Sequence, residues 1–286
     1  MILIGESINI MSHTIGPAMR EKDAKPIQQM AVIQEEKGAN YLEINLGPAK
    51  KQGDEIMEWL VKTVEEVTEL PLTLDTTNPV AMEAGLKVVT KARALINSAS
   101  GQSERLAQML PLAKKYDADV IGLLLTNEGM PRDVNERVKV ALEIVAKASE
   151  LGIGNENIWI DPLMFTITVG QDQVVSMVEF LQMLPDLFVP PTRSTCGLSN
   201  VSQGAPEELR SLLNQAIYCI LEPTGIHSAI VNVLDEDFMA VVNGISKQGS
   251  PEAYINGLDG EAQTKLNKTI AVLKKEALYC HSWLEM

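Results

Sequence analysis

At 286 residues, with 45% hydrophobic side chains, the chain can fill the core of one α/β barrel of about 250 residues and still carry an appendage. Aromatic residues are only 4% of the total and the formal charge is −14; this argues against nucleic acid, whose bases stack on aromatic rings and whose phosphates bind clustered Lys and Arg. Cys196, Cys219 and Cys280 are too few and too scattered for a disulfide framework, no apolar run reaches membrane-spanning length and no basic segment leads into an apolar one, so the reading is a soluble cytoplasmic protein with no membrane partner.

Ile2–Ile4 is the first strand candidate, ending in Gly5-Glu6-Ser7-Ile8-Asn9. Beyond a loop, Asp23 and Pro26 can start a helix whose Ile27, Met30, Ala31 and Gln34 share a face and which stops at Gly38. Tyr41–Ile44 is the second strand, and Ile56, Trp59, Leu60, Thr63, Val64 and Val67 then recur at helical spacing. The third strand holds Leu72 and Leu74 and ends in Asp75-Thr76-Thr77-Asn78, where Asn78-Pro79 can open a helix running to about Val89. Ala94–Ile96 is a short fourth strand, followed by Leu106, Met109, Leu110 and Ala113 at helical spacing.

The fifth strand, Ala118–Leu125, is apolar throughout, as expected of a strand buried on both faces. A helix face of Val138, Ala141, Leu142 and Val145 ends at Gly152, and Ile158–Ile160 gives the sixth strand, closed by Asp161-Pro162. Val174, Met177, Val178 and Leu181 mark the next helix. The seventh strand is read at Thr195–Leu198, the amphipathic helix from Leu209 to Ile220 follows, and Ser228–Val233 is the eighth strand, before a helix carrying Phe238, Val241, Val242 and Ile245. Gly249 to Gly260 reads as a polar loop and Glu261 to Cys280 as one extra helix. Eight strand-helix units with short connections predict a parallel sheet closed into a (β/α)8 TIM barrel with an extra C-terminal helix, all of residues 1–286 forming a single domain.

In such a barrel the active site lies at the carboxyl ends of the strands. Those ends carry Glu6 and Asn9, Glu43 and Asn45, Asp75 and Asn78, Asn97, Asp161, and Asn200 with Ser202; none is His or Lys. His13, His227 and His281 are scattered, so no metal site is expected, and no Lys stands where a Schiff base would need it. Asp, Asn and Glu are well suited to a flat heterocycle rich in N–H donors and carbonyl acceptors: a carboxylate accepts two adjacent N–H bonds, and an amide donates and accepts together. Taken singly, each has an ordinary alternative: a helix cap or ion-pair partner for Asp75, turn closure for Asn97 and Asn200, turn chemistry for Asp161, a surface charge for Glu6. The bland account explains six polar strand ends one by one, whereas a heterocycle site explains them together.

Gly5-Glu6-Ser7-Ile8-Asn9, Leu42-Glu43-Ile44-Asn45, Leu74-Asp75-Thr76-Thr77-Asn78, Ile96-Asn97-Ser98, Ile160-Asp161-Pro162 and Gly197-Leu198-Ser199-Asn200-Val201-Ser202 occur in one order and spacing. Together they resemble the pterin-binding (β/α)8 barrels, and within them the methyltetrahydrofolate:corrinoid protein methyltransferases, from residue 2 to about 283. The resemblance implies that Asp75, Asn97 and Asp161 hold the pterin ring of tetrahydrofolate or 5-methyltetrahydrofolate, with Glu6, Asn9, Gly197 and Ser199 nearby. It places Asn200 beside N5, the atom that bears the transferred methyl group, with Asp161 or Asp75 biasing the proton that N5 needs. It further implies a corrinoid (cobalamin) carried on a partner protein, and a homodimer. Position 43 is Glu where relatives often have Asp, and Arg210 stands later than the Arg that relatives place after the Ser-Asn-Val-Ser motif. Two other readings stay open: a dihydropteroate synthase-like enzyme, which would need basic residues for a pyrophosphate leaving group, and a non-catalytic folate-binding protein.

Overall fold

In the computed structural model, which describes residues 1–285, eight parallel strands stand in a nearly closed barrel. They are β1 (Ile2–Asn9), β2 (Tyr41–Gly47), β3 (Leu72–Thr76), β4 (Leu95–Ser100), β5 (Asp119–Leu123), β6 (Ile158–Asp161), β7 (Arg193–Ser194) and β8 (Ser228–Val231). From β1 to β7 each pairs with the next, and β8 pairs with β1. The seam between β7 and β8 is closed more sparsely, by a Gly197–Ile230 bridge, by Ile230 N donating to Cys196 O at 2.8 Å and by Ser228 Oγ donating to Ser194 O at 3.2 Å.

The helices surround this barrel: α1 (Ile15–Glu21), α2 (Ala24–Glu36), α3 (Gly53–Glu65), α4 (Pro79–Leu86), α5 (Ser103–Lys115), α6 (Val134–Glu150), α7 (Gln171–Leu187), α8 (Glu207–Leu221), α9 (Glu236–Gln248), α10 (Pro251–Asn256) and α11 (Gly260–Leu273). Local chemistry sets their starts. Asp23 Oδ1 accepts from Lys25 N, and Asn78 Oδ1 accepts from Val80 N at 2.9 Å with Pro79 in the first helical position. Among the described residues no helix is long and apolar enough to cross a membrane.

Several bounds differ from the sequence reading. The seventh strand is Arg193–Ser194 and not Thr195–Leu198; Cys196 and Leu198 are buried by packing, which mimics strand alternation, while Leu198–Ser202 winds into a 3-10 turn. Within the segment read as a polar loop, Pro251–Asn256 is helical, started by Ser250 Oγ accepting from Ala253 N at 3.1 Å. The last helix ends at Leu273 and not near Cys280. Lys275 there has a φ of 61°, and the following turns fold Trp283 back so that its Nε1 donates to Thr269 Oγ1 at 2.9 Å. A short helix, α1, occupies the segment before Asp23 read as a loop, and Leu142, read as a packing residue, is exposed.

Two apolar layers hold the fold. The larger lies between strands and helices and includes Leu42, Ile44, Leu74, Ile96, Val120 and Ile160. The smaller fills the barrel itself: Ile4, Leu95, Ile121, Trp159 and Ile230, with Tyr41 packed against them. Successive strand residues face opposite sides, so these two layers alternate along each strand. Beneath the inner layer, the buried Asp119 carboxylate accepts from Trp159 Nε1 at 3.1 Å, Arg193 at 2.8 Å and Arg93 at 3.2 Å, which offsets its desolvation and closes the amino-terminal end.

Candidate functional site

One step of two residues along each strand leads from the apolar plug to the carboxyl end of the barrel, and there the side chains become polar. Ile4 is followed by Glu6, Tyr41 by Glu43 and Asn45, Thr73 by Asp75, Leu95 by Asn97, Trp159 by Asp161 and Ile230 by Asn232. Each of the six chain segments just taken changes from apolar or small to carboxyl or amide toward its carboxyl end, Glu43 one row below the level of Asn45, Asp75 and Asn97. These residues, with Asn9, Leu123, Gly197, Ser199 and Asn200, line a cavity of about 880 Å³, within the range that holds a small organic ligand. Every residue named above as a candidate for the ring or for N5 therefore faces one space, including Glu6 and Asn200 from distant parts of the sequence.

The side chains interlock before any ligand arrives. Asn45 donates through Nδ2 to Asp75 Oδ2, and its own Oδ1 accepts from Gly47 N at 3.1 Å. Asn97 Nδ2 donates to Glu43 Oε1 at 2.8 Å, Ser199 Oγ donates to Glu6 Oε1 at 2.8 Å, and Leu163 N donates to Asp161 Oδ1 at 2.8 Å. These bonds fix which edge each group shows to the cavity. Asn200 is held differently: its Oδ1 accepts from Gln203 Nε2 at 2.7 Å, and its Nδ2 has no acceptor among the described residues. The amide also lies close over Gly197, where an added Cβ would come within 2.7 Å of Asn200 Nδ2.

Glu6, Glu43, Asp75 and Asp161, four carboxyls on the floor of one cavity, cannot all carry charge cheaply. Burial pushes Asp75 up to about 7, against the opposing pull of the Arg105 guanidinium and the Asn45 hydrogen bond. Burial likewise pushes Asp161 up to about 7, with the Leu163 N–H pulling the other way. Glu6 is raised by burial, and Glu43 is raised well above the ordinary carboxyl range by burial and then by the neighbouring Asp75 carboxyl. Around neutrality, then, protons are shared across this floor.

Arg105, on α5, stands outside the cavity and ties two strand ends together, donating to Thr77 O and Ser98 O at 2.8 Å each. Its charge faces Asp75. Arg210, on α8, does line the cavity, and its Nε donates to Ala205 O at 3.0 Å. Sequence reasoning gave no role to Gln203, Asn214, Asn232 or Asp235, which line the outer cavity. Asn232 was open to prediction, two residues beyond Ile230; Gln203 carried no signal beyond its place after the Ser199–Ser202 stretch. Asn78, counted among the strand-end groups, turns away to cap α4 and donates to Ala49 O at 2.9 Å.

A family model described as "Pterin binding enzyme" matches residues 7–232. Among curated proteins, the chain is 28% identical over 244 residues to a methylcorrinoid:tetrahydrofolate methyltransferase of Eubacterium limosum, covering 85% of this chain and 89% of that protein. It is also 28% identical over 243 residues to the methionine synthase of Mycobacterium tuberculosis, covering 81% of this chain but 20% of that longer protein. Among solved structures, the dihydropteroate synthase of Xanthomonas albilineans with 4-aminobenzoic acid superposes with a TM-score of 0.63 at 18% identity, covering 87% of this chain and 94% of that one.

Proposed function

Because the chain belongs to the pterin binding enzyme family, we propose that its cavity binds tetrahydrofolate and moves a methyl group between N5 and the cobalt of a corrinoid held by a partner protein. The observation that carries this reading beyond pterin binding is Asn200, whose amide N–H2 group faces the cavity with its carbonyl already occupied by Gln203. The named relative of near-equal length supports the same direction.

The ring fits the donors and acceptors present. Asp75 and Asp161 offer carboxyl oxygens to ring N–H and amino groups, and Asn97 completes the edge. When bound, the corrinoid supplies the metal centre that gives or receives the methyl group. Everything else falls to the chain. A tertiary amine leaves poorly, so as the N5–carbon bond breaks Asn200 Nδ2 donates a hydrogen bond to the developing lone pair and lowers the barrier. An amide has no proton to give outright. Asp161 and Asp75, each poised near 7, hold and bias the proton that reaches N5 through the network. In the reverse direction the same groups take that proton as N5 attacks. The outer cavity, with Arg210 and Asn214 on α8, leaves room for the rest of the folate.

A dihydropteroate synthase-like reaction is less well served, because Arg210 is the only cationic residue lining this cavity among the described residues and a pyrophosphate leaving group needs more. Purified protein incubated with 5-methyltetrahydrofolate and free cob(I)alamin should produce methylcobalamin, followed by its visible spectrum. Tight folate binding without turnover would leave the binding-protein reading standing; condensation of a pterin pyrophosphate with 4-aminobenzoate would establish the synthase.

Gly197 gives a further check. Its φ of −74° is open to any residue, so only the close approach of Asn200 demands glycine. Gly197→Ala should displace the Asn200 amide, lowering kcat by about tenfold or more while the melting temperature moves by no more than about 3 °C. An unchanged kcat would mean that the placement of Asn200 over Gly197 is irrelevant to turnover.

A further inference from the structure

Glu43 lies on β2 and is only 3% exposed, yet its Oε1 accepts from Asn97 Nδ2 on β4, two strands away. The register explains how it reaches. Glu43 pairs with Thr73, whereas Asn45, Asp75 and Asn97 pair across one higher row, so Glu43 sits one layer below that row and passes over the small Thr73 to meet Asn97 from beneath. An asparagine amide has two unlike ends that exchange by a half-turn of the side chain. With Nδ2 tied down to Glu43, Oδ1 is the end left for the cavity, and no protein donor reaches it among the described residues.

We propose that Glu43 is a positioning residue that pins Asn97 with its carbonyl oxygen toward the ligand, making the β4 side of the pocket an acceptor of a ring N–H. The inference rests on the reading of the ligand as a pterin, and names which edge of that ring β4 recognises. With Asp75 and Asp161 ionised, these two and Asn97 all present acceptors, and the pocket selects a ring edge made of N–H and amino groups. The titratable groups facing Glu43 are Asp75 from β3 and Glu6 from β1, both carboxyls, and with burial they favour its uncharged form against the Asn97 and Asn45 hydrogen bonds; in that form the oxygen without the proton accepts from Asn97. Glutamine has the same arrangement of acceptor and donor, and methionine has a similar length with only a weakly accepting sulfur.

Calorimetric Kd values for 5-methyltetrahydrofolate at neutral pH test this. Glu43→Gln should keep the Kd within about threefold, whereas Glu43→Met should raise it by about tenfold or more, the worth of one ordinary hydrogen bond in a buried site. In the background of Asn97→Ala, Glu43→Met should add nothing, because both changes remove one interaction. Should Glu43→Met not fold, Glu43→Leu decides: with no acceptor for Asn97 Nδ2 it should raise the Kd by about tenfold or more alone and add nothing to Asn97→Ala. A Glu43→Met or Glu43→Leu effect that adds to Asn97→Ala would overturn the assignment. Failure of the unaltered protein to bind the folate would instead overturn the proposed function.

Discussion

Asn200→Ala is expected to lower kcat for methyl transfer by about 100-fold or more while changing the Kd for 5-methyltetrahydrofolate by less than about threefold. The asymmetry follows from what N5 offers in each state. In the bound substrate N5 carries three carbons and a poorly exposed lone pair, so the amide gains little from it. As the bond to the methyl carbon lengthens, charge builds on N5 and the Asn200 N–H2 group meets a strong acceptor in a cavity walled by buried groups. An interaction made mainly in the transition state is lost from kcat and not from binding. Gln203 makes the donor ready in advance by holding Oδ1 at 2.7 Å. Single-turnover rates beside equilibrium titrations check this, and equal losses in both would show that Asn200 only binds.

Asp75→Asn is expected to do the reverse: to weaken folate binding by about 30- to 100-fold, because one acceptor becomes a donor facing ring donors and leaves them unpaired. The same change should stabilise the ligand-free protein in mildly alkaline solution. The carboxyl is raised from 3.8 to about 7 in the fold. A raised acid contributes its full stability below its unfolded pKa and loses it as pH rises through the folded one, so ionised Asp75 weighs against folding above about pH 7. Asparagine removes that burden, worth roughly 2 kcal/mol after allowance for relaxation and water. Melting curves at about pH 5 and pH 8 should differ less for the variant than for the unaltered protein, with Asp161, Glu6 and Glu43 among the groups supplying the remaining dependence. A variant that melts lower at pH 8 and binds folate normally would remove Asp75 from the site.

Much of this arrangement was legible in the sequence, because parallel strands buried on both faces announce themselves as apolar runs and a polar residue at the end of such a run has few places to go. Asp75 after Leu74 and Asp161 after Ile160 were readable in that way. The seventh strand was not: Cys196 and Leu198 alternate as strand residues do, but they are buried by packing beyond a two-residue ladder. Hydrogen-bond partners between distant segments were also beyond reach. Nothing in the spacing says that Ser199 meets Glu6, 193 residues away, or that Glu43 passes beneath Asp75 to Asn97. The helix at Pro251–Asn256 had a readable Ser-Pro start, but its polar surroundings gave no periodic face to follow.

The alternation of plug and site residues along each strand has a consequence for how such a molecule changes over generations. Ile4 and Glu6, Leu95 and Asn97, Trp159 and Asp161 share a strand but serve different ends, since the lower member packs in the barrel interior and the upper one lines the cavity. Substitutions in the upper ring can therefore be sampled one at a time at little risk to the fold, whereas an inserted residue in any strand would exchange the two faces at once and be lost to selection. A scaffold so divided lets recognition drift while its support stands still.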